Sequence, residues 1–215
     1  MNSLFSADSD LMRGLTRLAD IMILNFLFVV TSLPLFTLGA SLTALNFTAM
    51  RIGTGECVSV SADYFRSFRL NFRQATIVAL IVAGLTAVLA AWYAVLSSFA
   101  MDNVARLALF AVWYILALNL AATALFVFPY LANFEGRTRE MFRNARLMSW
   151  RHPLTALVAL AVIALAVAIT LFYPQATGYG MFWLLFGFAG IAVLNGRLFT
   201  HIFGKYIAAS KPTPT

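Results

Sequence analysis

Apolar residues along this chain do not alternate with polar ones; they run in blocks. Five blocks, approximately 21–45, 75–97, 107–131, 154–173 and 181–203, are rich in Ala, Leu, Val, Ile and Phe and nearly free of charge. Each reaches the roughly 20 helical residues that cross a hydrocarbon core. A helix also satisfies its own backbone in lipid, where water does not. The pattern predicts an all-α, polytopic membrane protein, one integral domain over residues 1–215 with about five transmembrane helices.

Two connections carry a different period. Phe65, Phe68 and Phe72 fall at i, i+3 and i+7, and Arg66, Arg69 and Arg73 follow on the adjoining face. Later, Arg139, Arg143 and Arg146 align on one face, with Met141, Ala145 and Met148 on another. Such segments are expected as two short interfacial helices, rings toward the acyl region and guanidinium groups toward phosphates. A cysteine at Ser67 is then expected to be labelled only from the cytoplasmic side. The stretches "DYFRSFRL" (63–70) and "EMFRNARL" (140–147) share Phe, Arg, Arg and Leu. They mark either a degenerate duplication of spans 1–2 and 3–4 or convergence of two interfacial segments.

The N-terminal piece 1–20 is also amphipathic, since Leu11, Leu15 and Leu18 share a helical face. It is expected to lie flat on the membrane. Its three acids, and the long apolar run after it, do not fit a removable signal peptide. Five simple spans place the N-terminus outside. If Pro34 instead breaks span 1 into a re-entrant pair, the N-terminus joins the side of Arg13 and Arg17. Residues 207–215 are expected as a flexible tail.

Composition agrees with the bilayer. Of 215 residues, 62% are hydrophobic and 11% charged, with a mean hydropathy of +0.86. The net charge of +7 raises nucleic-acid binding as a reading. The arginines of 63–73 argue against it, because they stand too close to span 2 to enter a groove. They read instead as topogenic charge. Four basic residues lie between spans 1 and 2 (Arg51, Arg66, Arg69, Arg73) and five between spans 3 and 4 (Arg137, Arg139, Arg143, Arg146, Arg151). The other two connections are nearly bare. The long loops and the C-terminus, with Lys205 and Lys211, are therefore expected in the cytoplasm. Trp183 and Tyr179 fit the opposite interface, and anionic headgroups are the expected partners of the arginines.

Candidate chemistry concentrates in span 1, which carries Asn25, Thr31, Ser32, Pro34, Thr37, Gly39, Ser41 and Thr43. Pro34 removes a donor and frees the Val30 carbonyl, so the helix is expected to kink or break; Thr31 and Ser32 are placed to satisfy freed carbonyls. Interrupted helices build solute sites where unwound backbone lines a cavity. They also arise simply from close packing of small residues. Asn119, Thr123 and Asn195 read as interhelical hydrogen bonds, and His152 before Pro153 as structural. Arg197 snorkels at the end of span 5, with His201 and Lys205 on the same stripe.

The acids Asp8, Asp10, Asp20, Glu56, Asp63, Asp102, Glu135 and Glu140 all read as lying at ends or in loops, leaving no carboxylate for proton coupling. Cys57 is single, the two histidines form no HExxH pair, and "GTGEC" (53–57) lacks the Lys-Ser/Thr of a phosphate loop. No enzyme, cofactor or metal is expected. Small residues in span 4 suit self-association or internal packing equally, so a homo-oligomer stays open.

The runs "ADIMILNFLFVVTSLPLFTLGASLTAL", "DYFRSFRLNFRQAT", "FPYLANFEGRTREMFRNARLMSWRHPLTAL" and "FGKY" resemble the YesL-like membrane proteins of unknown function, the DUF624 family, over roughly Phe5 to Tyr206. The resemblance implies a multi-pass protein of a bacterial cell membrane, tied to binding-protein-dependent carbohydrate ABC uptake as an accessory or regulatory subunit. It supplies no site residue. The chain shows no EAA-type coupling loop, which sets it apart from ABC permeases. The contrasting expectation is an autonomous transporter or channel for a small neutral solute, such as a sugar or polyol, centred on span 1.

Overall fold

The computed structural model describes residues 10–98 and 102–210. Seven α-helices follow one another: α1 (Asp10–Ser32), α2 (Leu38–Thr54), α3 (Val60–Ser98), α4 (Asn103–Asn133), α5 (Thr138–Arg151), α6 (Pro153–Phe172) and α7 (Phe188–Ser210). No strand occurs among the described residues. Five stretches, Leu11–Ser32, Val60–Ser98, Asn103–Asn133, Pro153–Phe172 and Trp183–Tyr206, are long and apolar enough to cross a membrane. They answer to the five apolar blocks.

The first block folds differently from a single span. α1 stops at Ser32, Pro34 is extended (φ −75°, ψ 118°), and Leu35–Thr37 forms one 3-10 turn before α2 begins. The chain reverses there. Leu24 and Phe28 of α1 share one apolar cluster with Ala44, Leu45, Ala49 and Ile52 of α2. The Ser41 hydroxyl donates to Thr31 Oγ1 (3.0 Å), and the charge of Asp20 acts on Cys57, just past α2. Early residues of α1 thus meet late residues of α2, as in an antiparallel hairpin. This corrects the picture of five simple spans with the start of the chain on the far side: residue 20 lies at the end where α2 terminates. Residues 10–20 are also the first turns of α1 rather than a separate segment; residues 1–9 lie outside the described residues.

α2 is the centre of the bundle. Gly39, Ala40, Ser41, Ala44, Thr48 and Ala49 are all buried on it, and such small residues let backbones approach closely. The tightest approach is at Gly39, where a Cβ would fall onto the Ala75 carbonyl oxygen and lie 2.8 Å from the Ala79 Cβ. α2 ends at Gly55, whose φ of 78° is the left-handed cap that glycine adopts most readily.

α3 corrects a second expectation. Residues 63–73 are not a separate interfacial helix but the opening turns of a helix of 39 residues, about 58 Å long. Tyr64 and Ser67 are buried in it, and Phe68 and Phe72 pack against the main apolar cluster rather than facing lipid. Only Phe65 of the three rings is exposed (38%). The buried Ser67 (3%) is therefore unsuitable for labelling; Leu70, 74% exposed, takes that place. α5 is a separate helix, because Pro153 opens α6 directly after His152. The two look-alike stretches thus differ in continuity, although Tyr64 and Met141 are both buried, and Arg66, Arg69, Arg143 and Arg146 are all exposed.

α3 and α4 pair as a long antiparallel hairpin: Trp113 Nε1 donates to the Leu89 carbonyl (2.8 Å), and Tyr93 packs on Phe110 and Trp113. At the opposite end His152 Nε2 and the Tyr206 hydroxyl, 3.2 Å apart, tie the α5–α6 joint to α7. Residues 207–210 continue α7; 211–215, with Lys211, lie outside the described residues. Nor are the acids confined to ends and loops. Asp20 stands inside α1, and Asp63, in the first turn of α3, pairs with Arg51 Nε at 3.0 Å, clamping the end of α2 to the start of α3.

Beside that clamp sits Cys57, in the short α2–α3 connection. Burial pushes its thiol up to about 11, helped by a hydrogen bond to Asp63 and by the charges of Asp63 and Asp20, while Arg51 pulls the other way. The thiolate is the reactive form. Alkylation by iodoacetamide is expected to be slow at pH 8 and to climb about tenfold per pH unit until roughly pH 11. Asp63→Asn is expected to speed it at pH 8. An unfolded thiol ionises near 9.0, so this group's contribution to stability is complete below that pH and is lost as pH rises toward about 11. A wild-type rate at pH 8 equal to that of a free thiol would sink this reading.

Candidate functional site

The polar residues of the first block do not converge on one site. They separate into two. The first is a hydroxyl cluster at the turn of the hairpin: Thr31 Oγ1 lies 2.5 Å from the Tyr64 hydroxyl, accepts from Ser41, and donates to the Leu27 carbonyl (2.9 Å). Thr37 Oγ1 binds the carbonyls of Thr31 (2.5 Å) and Pro34 (2.6 Å), so it caps the broken end of α1. Ser32 turns to the Val29 carbonyl (3.0 Å) and Thr43 to that of Gly39 (3.0 Å). Hydroxyls are thereby spent on backbone carbonyls around a helix end, as hydrocarbon requires. Pro34 itself is exposed between Leu33 (75%) and Leu35 (84%).

Tyr64 is the member that sequence reading missed. It is fully buried and among the largest such side chains. The signal was available: a phenol alone among rings that otherwise alternate with arginine.

The second site is Asn25, fully buried on α1. Its Nδ2 donates to the carbonyls of Trp183 (2.9 Å) and Leu184 (2.8 Å), and its Oδ1 accepts from the Ala189 N–H (3.0 Å). Two of those partners lie in a π-helical turn, Trp183–Gly187, and the third follows it in α7. A π turn displaces the usual i→i−4 bonds and leaves backbone groups in need of partners. One primary amide, with two donors and an acceptor, meets three of them.

The other intramembrane polar residues divide. Asn195 makes the expected interhelical bond, Nδ2 to the Ala159 carbonyl (3.5 Å). Thr123 instead bonds within its own helix, to the Asn119 carbonyl (2.8 Å), and the Asn119 side chain faces a groove. Among the described residues no cluster of His, Cys, Asp or Glu is disposed to hold a metal.

Arg66, Arg69, Arg73, Arg139, Arg143 and Arg146 are all exposed, and none is paired with a carboxylate among the described residues. The apolar surface is exposed as well. Leu107, Ile115 and Leu165 are 62–73% accessible, and only 11% of the most apolar stretches of α3 and α6 is buried within the protein. Water does not tolerate so much continuous apolar surface on a folded chain. These features define a multi-pass helical membrane protein. Within that class, residues 21–93 match the family described as Protein of unknown function, DUF624. Neither a curated protein nor a solved structure matches.

Proposed function

We propose that this chain is a non-enzymatic accessory or regulatory membrane protein that works beside a binding-protein-dependent carbohydrate ABC importer in a bacterial cell membrane. The importer enters through the family resemblance. One observation carries the accessory role: the hydroxyls at the turn of the hairpin are bonded to nearby backbone carbonyls and to one another, while Arg66, Arg69 and Arg73 stand exposed without acidic partners among the described residues. A solute site needs unspent hydrogen-bonding groups facing a cavity; a docking surface needs unpaired charge facing outward. The arginine end is the cytoplasmic one, following the excess of basic residues in short loops. Arg66, Arg69 and Arg73, on one exposed face of α3, are the proposed contact for an acidic partner surface.

Affinity purification of the full chain in mild detergent, followed by mass spectrometry, tests this. Importer subunits are expected to co-purify, and replacing Arg66, Arg69 and Arg73 together by Gln is expected to cut their recovery at least about fivefold. Recovery of the chain alone would refute the proposal. Solute uptake by liposomes holding only this protein would favour the autonomous transporter instead. Orientation is read separately, in a background lacking Cys57: an impermeant thiol reagent is expected to label Leu70→Cys from the cytoplasmic side only. Labelling from outside would invert the assignment.

A further inference from the structure

A groove of about 900 Å³ runs between α3, α4 and α5. Three helical faces line it. Leu85, Leu89 and Trp92 come from α3, Leu116, Asn119 and Thr123 from α4, and a row of arginines from α5. Its chemistry is graded along its length. α4 runs toward α5, so Thr123 is nearest the arginines, Asn119 is one turn further, and Leu116 further still. On α3 the order runs the other way: Gln74 donates to the Gly136 carbonyl (2.9 Å) beside the start of α5, so Leu85 is the near residue and Trp92 the far one. The groove thus begins in guanidinium groups, passes a hydroxyl and an amide, and ends in leucine and indole.

The charge in it is not balanced from within. Arg137, Arg139, Arg143 and Arg146 line one wall, and Glu140 is the single acid among them. The Glu140 carboxylate already accepts the Arg137 backbone N–H (3.3 Å), at the start of its own helix. No ion pair joins these arginines to a carboxylate among the described residues, and the Asn119 amide makes no hydrogen bond there. Guanidinium groups beside an apolar wall, at the edge of hydrocarbon, favour a counter-anion that carries its own apolar tail.

We propose that this groove is a binding site for an anionic phospholipid, its phosphate held by Arg139, Arg143 and Arg146 and an acyl chain laid along the α3–α4 wall. This goes beyond the accessory role above, which rests on the arginines of α3. The polarity gradient follows the lipid's own order from phosphate through ester to chain. Asn119 and Thr123 stand at the level where ester oxygens would lie.

Native mass spectrometry of the full chain in mild detergent tests the site, with phosphatidylglycerol or phosphatidylcholine added. Phosphatidylglycerol adducts are expected to persist at collision energies that strip phosphatidylcholine. Replacing Arg139, Arg143 and Arg146 together by Gln is expected to weaken phosphatidylglycerol retention by roughly tenfold or more. The α3 triple variant, Arg66, Arg69 and Arg73 to Gln, removes the same charge elsewhere and is expected to leave it within about twofold. Leu116→Trp keeps every arginine but fills the tail end of the groove, and is expected to weaken retention as well. Circular dichroism checks that each variant stays helical. Equal loss in both triple variants would show diffuse charge attraction and overturn the proposal. So would unchanged retention in Leu116→Trp, or full displacement by millimolar inorganic phosphate, which would mark a site for the anion alone.

Discussion

Replacing Asn25 by alanine is expected to destabilise the protein by about 3 kcal/mol or more. The substitution removes three hydrogen bonds at once, two to carbonyls of the π turn and one from the Ala189 N–H of α7, in an apolar surrounding. Each such group costs on the order of 1–3 kcal/mol when buried without a partner. Thermal unfolding of detergent-purified protein is the measurement. Asn25→Asp separates lost bonding from lost volume, because it keeps the shape and the acceptor but turns a second oxygen toward two carbonyls. That variant is expected to regain stability on acidification, once the carboxyl is protonated and donates. A melting temperature for Asn25→Ala within about 2 °C of wild type would mean that the turn relaxes to ordinary α-helix at little cost.

Gly39→Val is expected to disrupt the bundle outright, and Gly39→Ala to cost about 3 kcal/mol. Even one added methyl group lands on the Ala75 carbonyl and the Ala79 side chain. Because the first of these is backbone, relief requires α2 and α3 to move apart, and α2 packs against α1, α3, α4 and α7. Gly84→Ala is the control. That glycine is also helical but has nothing within 4 Å of a Cβ, so alanine there is expected to be neutral or to stabilise by up to about 1 kcal/mol. Expression yield and monodispersity in size-exclusion chromatography report both variants. If Gly39→Val matches wild type, the close approach of α2 and α3 is wrong.

The apolar blocks made the spans legible, because lipid-facing helices advertise themselves by composition. What α1 and α2 do relative to each other was hidden by the same property. Residues 21–45 form one uncharged, mostly apolar run, and a proline within it is equally compatible with a bend and with a reversal. The choice is made by Thr37, which caps the end of α1, and by the small-residue surface of α2, which has four neighbouring helices to satisfy. Neither shows in hydropathy. The arginine–phenylalanine stretch was legible as amphipathic, but periodicity does not say whether an apolar face meets lipid or protein, and Phe68 and Phe72 meet protein. Asn25 was visible as a polar residue in a span; its partners are backbone groups 158 or more residues away, which side-chain identity does not encode.

That separation has a consequence for how the chain is made. Asn25 enters the bilayer early in synthesis, but the three groups that bond it arrive only with the last described helix. During most of translation its amide must be shielded by something else: water near the interface, a neighbouring lipid headgroup, or the insertion machinery. α7 is then less an added span than the closing piece. Ribosome-stalled chains that end before residue 183 would hold the hairpin in a provisional state, open to quality-control proteases. Completion of the final helix, rather than insertion of the first, is the step at which this protein commits to its fold.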